Sequence, residues 1–140
     1  MTECKRVFID TAPFIYYLEQ NPQYFEKAKD FFLQCFENGI EMVTSTITIE
    51  EYCVYPYRSG RNDLIDKFEA FMECLGIKVI NIDKKIAMQA AKVRAEFKDF
   101  KSMDALQIAT AMERQCDLFL TNDKQLRQEK RIRCMTLDEI

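Results

Sequence analysis

Apolar residues fall into two alternating patterns along this chain. Short, largely apolar runs (Val7-Phe8-Ile9, Ile40–Thr44, Ile77–Ile82, Leu118–Thr121) are separated by longer stretches in which apolar side chains recur every three or four residues. The runs predict strands buried on both faces, and the stretches predict amphipathic helices. In chain order, Lys5–Asp10 is a first strand. Thr11-Ala12-Pro13 opens a helix, with proline in the first turn where its missing N–H costs nothing, and Asn21-Pro22 closes it. Phe25, Ala28, Phe32, Leu33, Cys35 and Phe36 stripe a second helix ended by Asn38-Gly39. Ile40–Thr44 is a second strand, followed by a helix from about Ser45 to Tyr55 that Pro56 should stop. Asn62–Leu75 is a further helix, with Leu64, Ile65, Phe68, Met72 and Leu75 inward and Gly76 as its stop. Ile77–Ile82 is a third strand. Asp83 caps a helix carrying Ile86, Ala87, Ala90, Ala91 and Val93, and Ser102 caps the next, with Leu106, Ile108, Ala109 and Met112. Leu118–Thr121 is a buried fourth strand, Asn122 and Asp123 open a short helix, and Ile132–Met135 forms a last strand. Strands separated by helices imply an α/β architecture on a parallel sheet with right-handed crossovers.

Composition narrows the function more than the fold. With 140 residues, 48% hydrophobic and 31% charged, the chain is expected to form one globular domain over 1–140. No apolar run approaches the ~18–20 residues of a membrane span. Met1-Thr2-Glu3-Cys4-Lys5-Arg6 leads into a short apolar stretch broken at Asp10, which is not a signal peptide. Six cysteines at positions 4, 35, 53, 74, 116 and 134 include no CxxC pair; with Cys35 and Cys74 on helical stripes, they read as reduced core thiols of a cytoplasmic protein. Histidine is absent, which excludes Ser-His-Asp and Cys-His catalysis, His-ligated zinc or haem, and an imidazole base. Net charge is −3. It is uneven, with most of the excess acid before residue 84 and a basic excess after it, so a polyanion-binding face in the second half is compatible with the overall acidity.

In an open parallel sheet, ligands bind beyond the carboxyl ends of the strands. Four carboxylates are expected there: Asp10 ends the first strand, Glu51 follows the second, Asp104 lies in the first turn of the helix at Ser102, and Asp123 follows the fourth. Each also has a structural reading. Asp10 or Thr11 can cap a helix, Thr48 and Glu51 fit a capping box, Asp104 complements a helix dipole, and Asn122-Asp123 is a plain N-cap. Gathered together, four like charges repel, and burial raises the cost of keeping them ionised. A hard divalent cation resolves that conflict without any imidazole and suits phosphodiester hydrolysis.

The segments Val7-Phe8-Ile9-Asp10-Thr11, Ser45-x-x-Thr48-x-x-Glu51, Asp104-Ala105-Leu106-Gln107-Ile108-Ala109-Thr110-Ala111 and Leu120-Thr121-Asn122-Asp123 resemble the successive motifs of the PIN domain. They are most similar to those of VapC-type ribonuclease toxins of toxin–antitoxin pairs. The resemblance spans essentially the whole chain. It implies a Rossmann-like three-layer α/β/α sandwich, a Mg²⁺- or Mn²⁺-dependent single-strand endoribonuclease, a small antitoxin partner and a homodimer. It matches Asp10, Glu51, Asp104 and Asp123 to the family's acidic quartet and Thr121 and Asn122 to its strand-end polar pair. Ser45 and Thr48 match the residues leading to the second acid; Glu50 competes for that role, but the spacing favours Glu51. The segment Tyr52–Tyr57 departs from the common leucine-glycine continuation.

The implied roles are Asp10, Asp104 and Glu51 on one divalent ion, with Asp123 completing the site or serving a second. Arg58, Arg61, Lys98, Lys101, Lys124 and Arg127 are candidates for RNA phosphates, and Tyr55 and Tyr57 for unpaired bases or a protein partner. Two rivals remain at this level. One is a PIN-fold scaffold that binds RNA or protein without cutting. The other is an aspartate-dependent phosphotransfer protein, disfavoured because the position two after Asp10 is Ala12.

Overall fold

The computed structural model describes residues 4–140; the Met1–Glu3 part of the leader reading lies outside them. Five strands, β1 (Arg6–Ile9), β2 (Glu41–Ser45), β3 (Lys78–Ile80), β4 (Leu118–Thr121) and β5 (Cys134–Thr136), form one sheet in the order β3-β2-β1-β4-β5. Every neighbouring pair is parallel. β1 is therefore central, with Phe8 level with Val43 on one side and Phe119 on the other. The Asp10 N–H continues the ladder to the Leu120 carbonyl at 2.9 Å.

Alternation within the strands builds two cores. Val7, Ile9, Met42, Leu118 and Leu120 face helices α1 (Thr11–Leu18), α2 (Phe25–Glu37), α3 (Thr46–Arg58) and α4 (Asn62–Leu75) through Phe14, Phe32, Tyr52 and Phe68. Phe8, Val43, Ile80 and Phe119 face α5 (Lys84–Glu96) and α6 (Ser102–Glu113) through Ile86, Val93, Ala105 and Ile108. The Phe8 and Phe119 rings stack at 5.2 Å. Both strand faces are thus covered, as a parallel sheet requires. The result is the expected three-layer α/β/α sandwich. No helix among the described residues is long and apolar enough to cross a membrane.

Several local expectations are corrected. Pro56 does not stop α3, which runs on to Arg58 with Pro56 buried inside it. Only the last turn follows the proline, and its end is closed by Ser59 N–H to Tyr55 O and Arg61 N–H to Pro56 O, so the loss is confined to the one bond a proline cannot donate. Ser45, not Thr48, caps α3, accepting from the Ile47 N–H at 3.0 Å, so the Thr48–Glu51 capping box does not form. Ser102 is the first residue of α6 rather than its cap; Lys101 holds that position and the Ser102 hydroxyl accepts from Arg94. Ala87 and Ala91 face solvent. All six cysteines are free; Cys35 and Cys53 are buried, whereas Cys74 is exposed and not a core thiol.

Candidate active site

The carboxyl ends of β1, β2 and β4 meet at one edge of the sheet, and each sends a polar residue there. Asp10 directly follows β1 in extended conformation and caps α1, its Oδ1 accepting from the Thr11 N–H at 2.9 Å. Thr121, the last residue of β4, donates its hydroxyl to Asp10 Oδ2 at 2.8 Å. The two carboxylate oxygens are therefore oriented by the start of α1 and by the end of β4. On α3, Glu51 Oε1 accepts from the Thr11 hydroxyl at 2.6 Å, so this carboxylate turns back toward β1; Glu50 and Glu51 are both exposed residues, and this bond distinguishes them. Asp104 sits in the first turn of α6. Asp123 caps the 3₁₀ helix Lys124–Gln128 through Gln125 N–H at 3.0 Å, and its own N–H donates to Thr121 Oγ1 at 3.1 Å. Asp10 and Asp123 thus cap helices and still lie at the shared edge.

Beneath them lies a buried polar layer in which Ser45 and Thr48 were marked by the sequence, whereas Gln107 and Thr44 were not. Gln107, 1% exposed, donates from Nε2 to Asp10 Oδ1 at 3.2 Å and to Thr48 Oγ1 at 2.8 Å, while its Oε1 accepts from the Ser45 hydroxyl. Thr44 Oγ1 lies 2.8 Å from both Thr48 Oγ1 and the Ile9 carbonyl. Among the described residues no buried side-chain nitrogen or oxygen lacks a partner. The detectable signal was a glutamine three residues after Asp104, on a helix face whose other residues are mostly apolar. Thr121, which the resemblance matched to a strand-end polar residue for substrate, is 1% exposed with its hydroxyl committed to Asp10; this placement suits orienting Asp10. Asn122 Nδ2 donates to the Tyr16 hydroxyl at 2.7 Å, tying the strand end to α1.

Electrostatics couple the acids. Desolvation is the main cause that pushes the Asp10 carboxyl up to about 6; hydrogen bonds from Thr11 and Thr121 oppose it, and the charges of Asp104 and Glu51 add to it. The Asp104 carboxyl is raised by desolvation first, then by Asp123 and Glu51, against Lys101. Among the described residues none of the four acids forms an ion pair; the salt bridges lie elsewhere. Nor do any three acidic or thiol side chains there stand close enough to hold one ion as placed. In kind the donors fit a hard divalent cation, being all oxygen, mutually repelling and outside the protein's ion pairs. They are not a finished cage.

Among the basic candidates, Arg61 is held by Asp63 at 2.8 Å, whereas Lys124 and Arg127 follow Asp123 directly. Arg58 and Lys98 are exposed, and Lys101 lies beside Asp104. Tyr55 and Tyr57 are exposed near the end of α3.

Solved structures similar to this fold include VapBC2 from Rickettsia felis bound to a DNA fragment from its promoter, with a TM-score of 0.78, 13% identity, and coverage of 94% of this chain and 98% of that chain. DNA-bound VapBC from Salmonella typhimurium gives a TM-score of 0.77, 19% identity, and 94% and 98% coverage. VapC20 from Mycobacterium tuberculosis, a toxin that cleaves the sarcin–ricin loop, gives 0.69, 15% identity, and 89% and 95% coverage. At such identities the likeness is one of fold. No curated protein is significantly similar in sequence. The PIN domain family model, however, matches residues 7–131 and so takes in β1, the acidic edge and β4; the chain belongs to the PIN domain family.

Proposed function

We propose that this chain is a divalent-metal-dependent endoribonuclease acting on single-stranded RNA, and the toxin of a toxin–antitoxin pair. The observation that carries the reading is the set of four carboxylates at one sheet edge, with Asp10 and Asp104 raised by their acidic neighbours and none of the four in an ion pair among the described residues. Asp10, Asp104 and Glu51 would hold a Mg²⁺ or Mn²⁺ ion, with Asp123 completing the set. The chemistry supplied by such a bound ion is activation of water and neutralisation of charge on the phosphate. The chain's own part is orientation. Thr121, the Thr11 N–H and Gln107 fix the Asp10 carboxylate from three directions, and the Thr11 hydroxyl turns Glu51 toward the same edge. With no histidine in the chain, no imidazole is available to move a proton.

The toxin part of the reading draws support from the solved relatives, which include VapBC complexes. It implies a small antitoxin partner and a homodimer in the cytoplasm. Leu33 and Phe36 on α2 are exposed apolar surface available to such contacts.

A fluorescent single-stranded RNA pool incubated with the protein and Mn²⁺, against an EDTA control, tests the reading. Cleavage that depends on metal and is lost in Asp104→Asn is expected; intact RNA with every divalent metal would instead favour the scaffold, in which Asp10 and Asp123 serve only as helix caps.

A further inference from the structure

Beyond Asp123 the surface changes sign. A cleft of about 610 Å³ opens beside the 3₁₀ helix, lined by Phe97, Lys124, Arg127, Gln128 and Lys130, with no carboxylate in its wall. The two walls are joined: Gln125 Nε2 reaches the Asp99 carbonyl at 3.5 Å, linking the 3₁₀ helix to the loop that leads into α6. That loop delivers Asp104, and the 3₁₀ helix begins at Asp123, so both walls run out from the acidic edge. Among the described residues Lys124 and Lys130 form no ion pair, and Arg127 meets Glu139 at 3.2 Å. Phe97 stacks on Phe100 at 4.8 Å with 17° between the rings. Phe100 is buried, so the half-buried Phe97 ring is held as a fixed plate beside the cations.

We propose that this cleft is the track for the single-stranded RNA chain entering or leaving the carboxylate edge, with Lys124, Arg127 and Lys130 on successive phosphates and the free face of Phe97 under one base. The inference rests on the nuclease reading for its substrate. Its own support is the pairing of three cations, of which Lys124 and Lys130 form no ion pair among the described residues, with a rigid aromatic face, the combination that grips unpaired strands without reading sequence. An acidic peptide would use the cations but has no need of the flat ring.

The probe is a fluorescently labelled 12-nucleotide oligouridylate, bound by the full chain in EDTA so that nothing is cut, and followed by anisotropy across a KCl series. For the Lys124→Ala, Arg127→Ala, Lys130→Ala triple variant, the slope of log affinity against log salt should shrink by about 2, since each lost single-strand phosphate contact removes about 0.7. Phe97→Leu, which keeps an apolar residue on Phe100, should weaken binding about 5- to 150-fold and leave the slope alone. An unchanged slope in the folded triple variant overturns the track, as does a wild type that fails to bind the oligonucleotide. Tighter binding of a decaglutamate peptide than of the RNA also overturns it, making the cleft a protein-docking surface. Binding with these effects but without Mn²⁺-dependent cleavage would instead remove the nuclease reading and keep the track.

Discussion

Gln107 on α6 and Asp10 after β1 are joined at 3.2 Å, and the geometry permits only one orientation of the amide. The Gln107 carbonyl accepts a hydrogen bond from the Ser45 hydroxyl, leaving both amide N–H groups for Asp10 and Thr48. Reversing the amide would set its oxygen against the Asp10 carboxylate. A buried side chain from the far helix layer thus sets the angle of an acid on the central strand.

Replacing Gln107 with Leu should therefore destabilise the protein by about 1–3 kcal/mol, because Ser45 and Thr48 are fully buried and would lose a partner. Urea unfolding reads the loss directly. Gln107→Glu retains the shape but places an acceptor against Asp10, and should be destabilised more at pH 8 than at pH 5. Unfolding midpoints equal to wild type in both variants would show that the layer does not hold Asp10.

Asp10→Asn and Asp104→Asn should each reduce Mn²⁺-dependent RNA cleavage by at least about 100-fold while leaving the far-ultraviolet circular dichroism unchanged. Asparagine is as good an N-cap as aspartate, so α1 should survive the first change. Each substitution also removes a charge from a repelling group, so metal-free melting temperatures should rise rather than fall. Full activity in either variant removes that residue from the site.

The raised Asp10 carboxyl has a pH consequence with a definite sign. Its folded value, about 6, lies above the ordinary 3.8, so between those values the folded state holds the extra proton. Its contribution is fully present below pH 4 and is lost as pH rises through 6. Relative to Asp10→Asn, which does not titrate, the metal-free wild type should lose up to about 3 kcal/mol of stability between pH 4 and pH 7. Saturating Mn²⁺ at pH 7 should restore much of it. A flat difference between the two proteins across that range would contradict the coupling.

Glu129 is 1% exposed and is held by Arg131, Nη2 to Oε2 at 2.6 Å, with the Arg131 N–H adding a backbone bond. Burial pushes its carboxyl up, but the bonds from Arg131 outweigh it and the net value is lowered. Arg131→Ala should cost about 1–3 kcal/mol by stranding that acceptor, with the loss largest above pH 5, where Glu129 is charged. Equal stability of variant and wild type at pH 7 would show the pair to be immaterial.

Asp10, Asp104 and Asp123 were legible in sequence because each follows a strand or opens a helix, and Glu51 because it lies within the first two turns of α3; those boundaries are written in strong local signals such as Val7-Phe8-Ile9 before Asp10 and Gly76 in the left-handed region at the end of α4. Gln107 was not, since its role depends on Ser45 and Thr48, some sixty residues earlier in the chain. The start of α3 at about Ser45 was legible, but Thr48 suits an N-cap locally as well, and the course of β2 through Ser45 decides between them. Pro56 misled because its ring is accommodated in a final turn that tertiary burial stabilises.

The sheet order places β4 directly beside β1, although more than a hundred residues separate them in the chain. During synthesis Asp10 therefore emerges more than a hundred residues ahead of Thr121, which seats that carboxylate. Until β4 has docked beside β1, the Asp10 carboxylate lacks the hydroxyl that orients its Oδ2, so the order of this edge depends on a contact that only the assembled sheet provides.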